Sequence, residues 1–259
     1  MPQIFHATLA ASVFKQIENR NFKVIIFSVT PNELNCQTSR LANNDDCVMV
    51  EFELSRQYFE EFRCKQSFIR GIKFEEFRNV LTGSTNLEFI DFSFEEDEDH
   101  FDLTIKNENG DPIADVLQVN FVEGDGVDTN PIVFSNQLEM SMRNFKEICD
   151  QFKTTEDINI KINVTVNQWR FSVVGNNRKY TRPAMIVATD NSFLNHFSSE
   201  NEVEFNYRVF SYLISDRHTS DRVLLRISTN DLLVAEFNVI NLGYLRYYMC
   251  PMIASAEEN

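Results

Sequence analysis

Glycine and proline are scarce in this chain of 259 residues, at seven and six, and there is a single tryptophan. Neither a collagen-like repeat nor a disordered low-complexity chain fits that composition. No run approaches the roughly 18 apolar residues of a helical membrane span. The opening Met1-Pro2-Gln3-Ile4-Phe5-His6 also lacks the basic stretch and apolar stretch of a secretory signal, so the expectation is a soluble protein without a leader. The five cysteines, Cys36, Cys47, Cys64, Cys149 and Cys250, are odd in number and never form a C-x-x-C pair. That pattern points to reduced thiols of the cytosol or nucleus, most of them small core residues.

Catalytic signatures are missing too. His6, His100, His196 and His218 stand apart from one another and from the cysteines, and neither a glycine-rich phosphate loop nor a G-x-S-x-G turn occurs. The strongest alternative is the run Glu95-Glu96-Asp97-Glu98-Asp99, whose paired carboxylates suit a divalent cation and hence a metal-dependent enzyme. Set between two predicted strands, the run reads more simply as a solvated turn. No metal or cofactor is expected.

What is abundant is acid and phenylalanine. There are 39 Asp+Glu against 24 Lys+Arg, a net charge of −15, and the 24 phenylalanines sit in a 43% hydrophobic composition that can bury a sizeable core. The charge is uneven: residues 1–134 hold 11 basic and 24 acidic side chains, a balance of −13, while residues 135–259 hold 13 and 15, a balance of −2. An acidic chain repels nucleic acid, so a DNA-facing role needs basic residues gathered on one surface.

Period-two alternation dominates the chain and predicts strands at 24–29, 47–54, 101–105, 158–164, 170–174 and 223–227. Helical spacing predicts four short helices, at roughly 11–20, 72–82, 141–153 and 207–217. These pair up. Phe14-Lys15-Gln16-Ile17 recurs as Phe145-Lys146-Glu147-Ile148, and Phe74, Phe77, Val80 and Leu81 are echoed by Tyr207, Phe210, Leu213 and Ile214. A third echo sets Phe101 to Val119 against Val223 to Leu242. The chain therefore reads as an internal duplication of an α+β domain, with domains at 1–119 and 135–259. The stretch between them, 120–134, has two glycines, a proline and three acidic residues in its first dozen positions and no sustained period. It reads as an exposed connector and a partner site, tacked down by Val122, Val127 and Ile132.

The last forty residues narrow the question. Arg222-Val223-Leu224-Leu225-Arg226-Ile227, Leu232-Leu233-Val234-Ala235-Glu236-Phe237 and then Gly243-Tyr244-Leu245-Arg246-Tyr247-Tyr248-Met249-Cys250-Pro251, with an acidic tail, follow a G-x-L-[KR]-[YF]-[YF]-x-[AC]-P pattern. This resembles the carboxyl end of the proliferating cell nuclear antigen family, the eukaryotic-type DNA sliding clamps. Phe59-Glu60-Glu61-Phe62-Arg63-Cys64, Gly71-Ile72 with the following helix, and Met140 to Ile148 carry the same likeness.

The resemblance implies the DNA-clamp fold: two similar domains of antiparallel sheets with two short helices each. Three such chains close into a ring around duplex DNA, with helices inside and sheets outside. It implies a nuclear processivity factor without chemistry of its own. Such a factor tethers DNA polymerase and other replication and repair proteins and is opened by a clamp loader. An acidic ring satisfies the charge argument if its helices carry the cations, and the predicted helices offer Lys15, Arg20, Lys73, Arg78, Arg143, Lys146, Lys153, Arg208 and Arg217. Several positions that are basic in familiar clamps are here Asn79, Thr82, Glu147, Asp150 and Ser215, which implies weaker DNA contact.

Partners of the family carry a Q-x-x-[hydrophobic]-x-x-[aromatic]-[aromatic] peptide. The resemblance assigns its pocket to Leu41, Cys47, Met49, Val127, Leu232, Tyr248, Cys250 and Pro251. It assigns the subunit joint to edge strands near 110–118 and 176–186, with Asp111 and Asp115 facing Arg178, Lys179 and Arg182. The lysine that accepts ubiquitin in related clamps falls on Val166. The alternative within the fold is a subunit of a heterotrimeric checkpoint clamp.

Overall fold

The structure, a computed structural model, describes residues 3–11, 23–42, 46–83, 88–95, 99–113, 117–124, 126–152, 158–166, 168–175, 185–188, 195–207, 213, 220–239 and 243–252. These form eighteen strands: β1 Gln3–Ala10, β2 Val24–Val29, β3 Glu33–Ala42, β4 Asp46–Ser55, β5 Glu61–Cys64, β6 Phe68–Lys73, β7 Phe89–Glu95, β8 His100–Lys106, β9 Leu117–Val122, β10 Phe134–Ser141, β11 Ile158–Thr165, β12 Gln168–Gly175, β13 Met185–Ala188, β14 Asn195–Phe197, β15 Asn201–Asn206, β16 Arg222–Ser228, β17 Leu233–Val239 and β18 Gly243–Met249. Two helices accompany them, α1 Phe74–Gly83 and α2 Met142–Phe152, with a single 3-10 turn at Arg56–Tyr58.

All six alternating segments are strands, and the alternation is burial: Ile25, Phe27 and Val29 of β2, and Phe101, Leu103 and Ile105 of β8, are buried while their neighbours face outward. The helices predicted at 72–82 and 141–153 are α1 and α2; those at 11–20 and 207–217 fall almost wholly outside the described residues. Cys36 and Cys149 are buried as expected, whereas Cys64 is half-buried and Cys250 exposed.

The chain divides into two compact units, residues 1–40, 50–128 and 239–245 in the first and 41–49, 129–238 and 246–259 in the second. The duplication is explicit in the pairing. Strands run in the order β5-β1-β7-β8-β9 and β4-β3-β2-β6 in one copy, and β14-β10-β16-β17-β18 and β13-β12-β11-β15 in the other. Each strand of the first nine thus has its counterpart nine places later. The third sequence echo is out of step by one strand: Phe101 lies on β8, but Val223 lies on β16, the counterpart of β7. Successive strands of a hairpin alternate alike, so the pattern alone does not reveal such a slip.

The two cores differ. In the first unit Phe101 lies 4.8–6.4 Å, centroid to centroid, from Phe5, Phe27, Phe68, Phe92, Phe94 and Phe121, mostly edge to face. The second unit is chiefly aliphatic, with Ile160, Ile162, Val164, Leu225 and Ile227 buried and Trp169 stacked on Phe171. On the outer side of each, a buried carboxylate is matched across strands. Asp91 of β7 accepts from Thr8 Oγ1 at 2.7 Å and pairs with Lys106. Glu236 of β17 takes Arg226 from β16 at 3.3 Å and Arg246 from β18 at 2.7 Å. Burial without such partners would cost several kcal/mol.

Gly243, the first residue of the carboxyl-terminal pattern, has φ +117°, and a Cβ there would run into the Glu53 carbonyl oxygen of β4. Only glycine fits.

Candidate nucleic-acid interface

α2 buries Met142, Phe145, Ile148, Cys149 and Phe152, spaced three and four apart, and turns Arg143, Lys146, Glu147 and Asp150 to solvent. Ser141 caps it, its Oγ accepting the Asn144 N–H at 3.2 Å. α1 buries Phe74 and Phe77, and Lys73, Glu75, Glu76 and Arg78 lie on its outer side. Two of these cations are tied to helix acids: Lys73, at the end of β6, to Glu76 of α1 at 3.4 Å, and Arg143 to Glu147 of α2 at 3.2 Å. Exposed pairs of this kind contribute only about 0.3–0.5 kcal/mol each. Their larger effect is on the field. Among the described residues each outer face, with Lys73 counted at the start of α1, carries two positive and two negative groups, a formal balance of zero. Of the nine cations assigned to DNA, the structure places Arg78, Arg143 and Lys146 on outer helix faces and Lys73 at the end of β6, just before α1. Lys15, Arg20, Lys153, Arg208 and Arg217 lie outside the described residues.

Asn79 and Thr82 are exposed on α1, where the Thr82 hydroxyl donates to the Arg78 carbonyl at 3.0 Å and so adds no charge. Val166 is 61% exposed in the turn between β11 and β12.

The eight residues assigned to a partner pocket are placed as follows. Val127 belongs to the first unit and is 58% exposed; the other seven belong to the second. Met49, Leu232 and Pro251 are half-buried, Tyr248 is buried and Cys250 exposed, while the side chains of Leu41 and Cys47 are outside the description. The Met252 N–H donates to the Glu204 carbonyl of β15 at 2.8 Å, which fixes the segment after β18.

The connector differs from its expected form in two respects. β9 continues through Val122, because Phe121 and Val122 pair with Ile72 and Gly71 of β6. Val127 is held by its backbone, its N–H and carbonyl both bonded to the Gln37 side chain at 2.7 and 2.8 Å, and not by its exposed isopropyl group. Nothing in the sequence pattern flagged Gln37, an outward polar residue on an alternating strand 90 positions away. Where β6 meets β9, an open cavity of about 460 Å³ is lined by Ile69, Arg70, Phe121, Val122, Glu123 and Gly124.

At the expected subunit joint, Asp111 is exposed in a tight turn whose N–H groups at Asn109 and Asp111 both donate to Asn107 Oδ1. Asp115, Arg178, Lys179 and Arg182 are outside the described residues. β9 pairs with β8 through residues 117–120 and reaches β6 only at 121–122; β13 ends its sheet.

Burial pushes the thiols of Cys36, Cys64 and Cys149 up, away from the thiolate a nucleophile requires. Glu95 closes β7 and His100 opens β8, so the acidic run does lie between two strands. Among the described residues no three His, Cys, Asp or Glu side chains gather as a metal site, and no helix is long and apolar enough to cross a membrane.

The family model of the proliferating cell nuclear antigen N-terminal domain matches residues 5–127, and that of its C-terminal domain matches residues 129–252. The two matches follow one another along nearly the whole chain and coincide with the two copies of the nine-strand topology, so this chain belongs to the proliferating cell nuclear antigen family of DNA sliding clamps.

Proposed function

We propose that three copies of this chain close head to tail into a ring around duplex DNA. The ring serves as a nuclear processivity factor that tethers DNA polymerase and other proteins carrying clamp-binding peptides, after a clamp loader has opened it. The observation that carries the reading is the ordered pair of family matches over a duplicated α+β topology. Clamps of this family act as scaffolds, and the chain is assigned no chemistry.

In this reading residues 1–119 and 135–259 are the two clamp domains and 120–134 the connector. Phosphates meet the helix cations, led by Lys73, Arg78, Arg143 and Lys146, without sequence preference. Partner peptides dock on the pocket residues from Leu41 to Pro251. The joint sets Asp111 and Asp115 of one subunit against Arg178, Lys179 and Arg182 of the next, a heterologous contact that closes after three steps. The neutral outer faces of α1 and α2 support the weak DNA contact expected from the sequence. Topology, and not attraction, then holds the ring on its track.

Those neutral faces also favour the second reading, a subunit of a heterotrimeric checkpoint clamp. Light scattering coupled to size exclusion separates the two. A mass three times 30.2 kDa supports the homotrimer; a monomer at every concentration overturns it and leaves the heterotrimer. Stimulation of polymerase by the loaded ring then tests the tethering role.

A further inference from the structure

The connector is laid across the outer face of the first unit. Gly124 packs so closely on Ile26 of β2 that a side chain there would displace the Ile26 methyl, and a Cβ on Gly126 would touch Gln37 Oε1 at 3.4 Å. At Val127 the contact becomes a two-point clasp. The Val127 N–H donates to Gln37 Oε1 at 2.7 Å, and Gln37 Nε2 donates to the Val127 carbonyl at 2.8 Å. A primary amide carries the donor and acceptor of a peptide group, so this side chain takes the place a neighbouring strand would hold. The second Nε2 hydrogen goes to Glu51 Oε1 at 2.9 Å, and the same oxygen accepts Asn35 Nδ2 at 2.9 Å. Glu51 is 1% exposed and Gln37 is 9% exposed.

The chemistry of these groups fixes the orientation. A carboxylate only accepts, so Glu51 draws the NH₂ end of the Gln37 amide toward itself and leaves the oxygen for the Val127 N–H. Turned over, the amide would set its oxygen against the Glu51 carboxylate and the Val127 carbonyl and its NH₂ against the Val127 N–H, three repulsive contacts in place of three bonds. The backbone of Val127 is thereby captured while its side chain points to solvent.

We propose that Gln37, oriented by Glu51, is a positioning residue for partner peptides: a latch that fixes the connector at Val127 and so sets peptide affinity. The proposal rests on the reading of the connector as a docking element. A connector that leaves its docked position part of the time binds in proportion to the docked fraction.

The test measures two quantities on the full-length chain: amide hydrogen exchange at Val127, and affinity for a synthetic peptide of the Q-x-x-[hydrophobic]-x-x-[aromatic]-[aromatic] pattern. Gln37→Met keeps the bulk and removes the amide. It is expected to speed Val127 exchange at least tenfold and weaken the peptide about tenfold, with solution mass unchanged. Glu51→Met removes the acceptor that orients the amide before Val127 docks and is expected to do the same to a lesser degree. Glu51→Gln retains an accepting oxygen and is expected to stay within about threefold of the parent. It also serves as the comparison if either Met variant fails to fold. Unchanged exchange in Gln37→Met overturns the latch whatever the peptide does. Faster exchange with unchanged affinity overturns the positioning role and leaves the docking reading intact. A parent chain that binds no such peptide overturns the docking reading and the affinity claim together, and the exchange comparison still decides the latch.

Discussion

The two halves of the molecule reach one topology with different materials. Residues 1–134 hold 16 of the 24 phenylalanines and nearly all the net negative charge, while residues 135–259 hold eight phenylalanines and are close to neutral. Nine strands nevertheless follow the same order in each copy, the first adding a short pairing of β6 with β9. The fold is thus specified by where apolar residues fall, and hardly by which apolar residues they are. The difference lies in how much one position carries, because an aromatic ring touching six others concentrates contact that an aliphatic core spreads over many.

The comparison breaks hardest at its aromatic centre. Phe101→Ala on β8 is expected to destabilise by about 3–5 kcal/mol, against about 2–3 kcal/mol for Leu233→Ala, the counterpart position on β17 by strand register. Denaturant unfolding of the two variants checks the ratio, and equal losses would mean that the aromatic cluster is no more than bulk. Next comes Gly243→Ala, which meets both a positive φ and a backbone oxygen; a loss of about 3 kcal/mol is expected. A loss below about 1 kcal/mol would show that β18 shifts easily on β4.

A smaller effect concerns the helices. Replacing Glu147 and Asp150 together by Lys turns the outer face of α2 from neutral to strongly basic. The slope of log affinity for duplex DNA against log salt should steepen by about 0.9 for each added phosphate contact. An unchanged slope would count against this face meeting DNA. The smallest lies on the four-stranded sheet of the second copy, where Glu202 of β15 receives Lys161 Nζ of β11 at 2.6 Å. The hydrogen bond from Lys161 is the leading cause that holds the Glu202 carboxyl below its ordinary range. A lowered folded-state value adds stability above the ordinary carboxylate range and loses it as pH falls through the folded value. Lys161→Met is therefore expected to reduce stability slightly at neutral pH, by less than about 0.5 kcal/mol for so exposed a pair. The difference should vanish in acid, as parallel melts at pH 7 and pH 3 would show.

Much of the fold was legible because strands with one wet face write their burial into the sequence at every second residue. The 131-residue shift between Phe14 and Phe145 reappears as the shift between the starts of β1 and β10. The slip came where alternation is common to both arms of a hairpin, so Phe101 was set against Val223. At the candidate interface, residue type was legible and compensation was not weighed: Lys73 and Arg143 are cations in the sequence, but Glu76 and Glu147 stand within reach one turn on. The clasp at Val127 was invisible for a different reason. Gln37 and Glu51 occupy outward positions that normally mean solvent, and only the chain's return 90 residues later covers them.

The placement of Trp169 has a practical outcome. It is the only indole in the chain, buried on β12 of the second unit and stacked on Phe171. Intrinsic fluorescence therefore watches one half of the duplication, while the phenylalanine-rich half is nearly dark at those wavelengths. Far-ultraviolet dichroism sees both. Superposed melting curves from the two signals would mean that the copies come apart as one cooperative block, and an earlier or later fluorescence transition would show them as separate thermodynamic units.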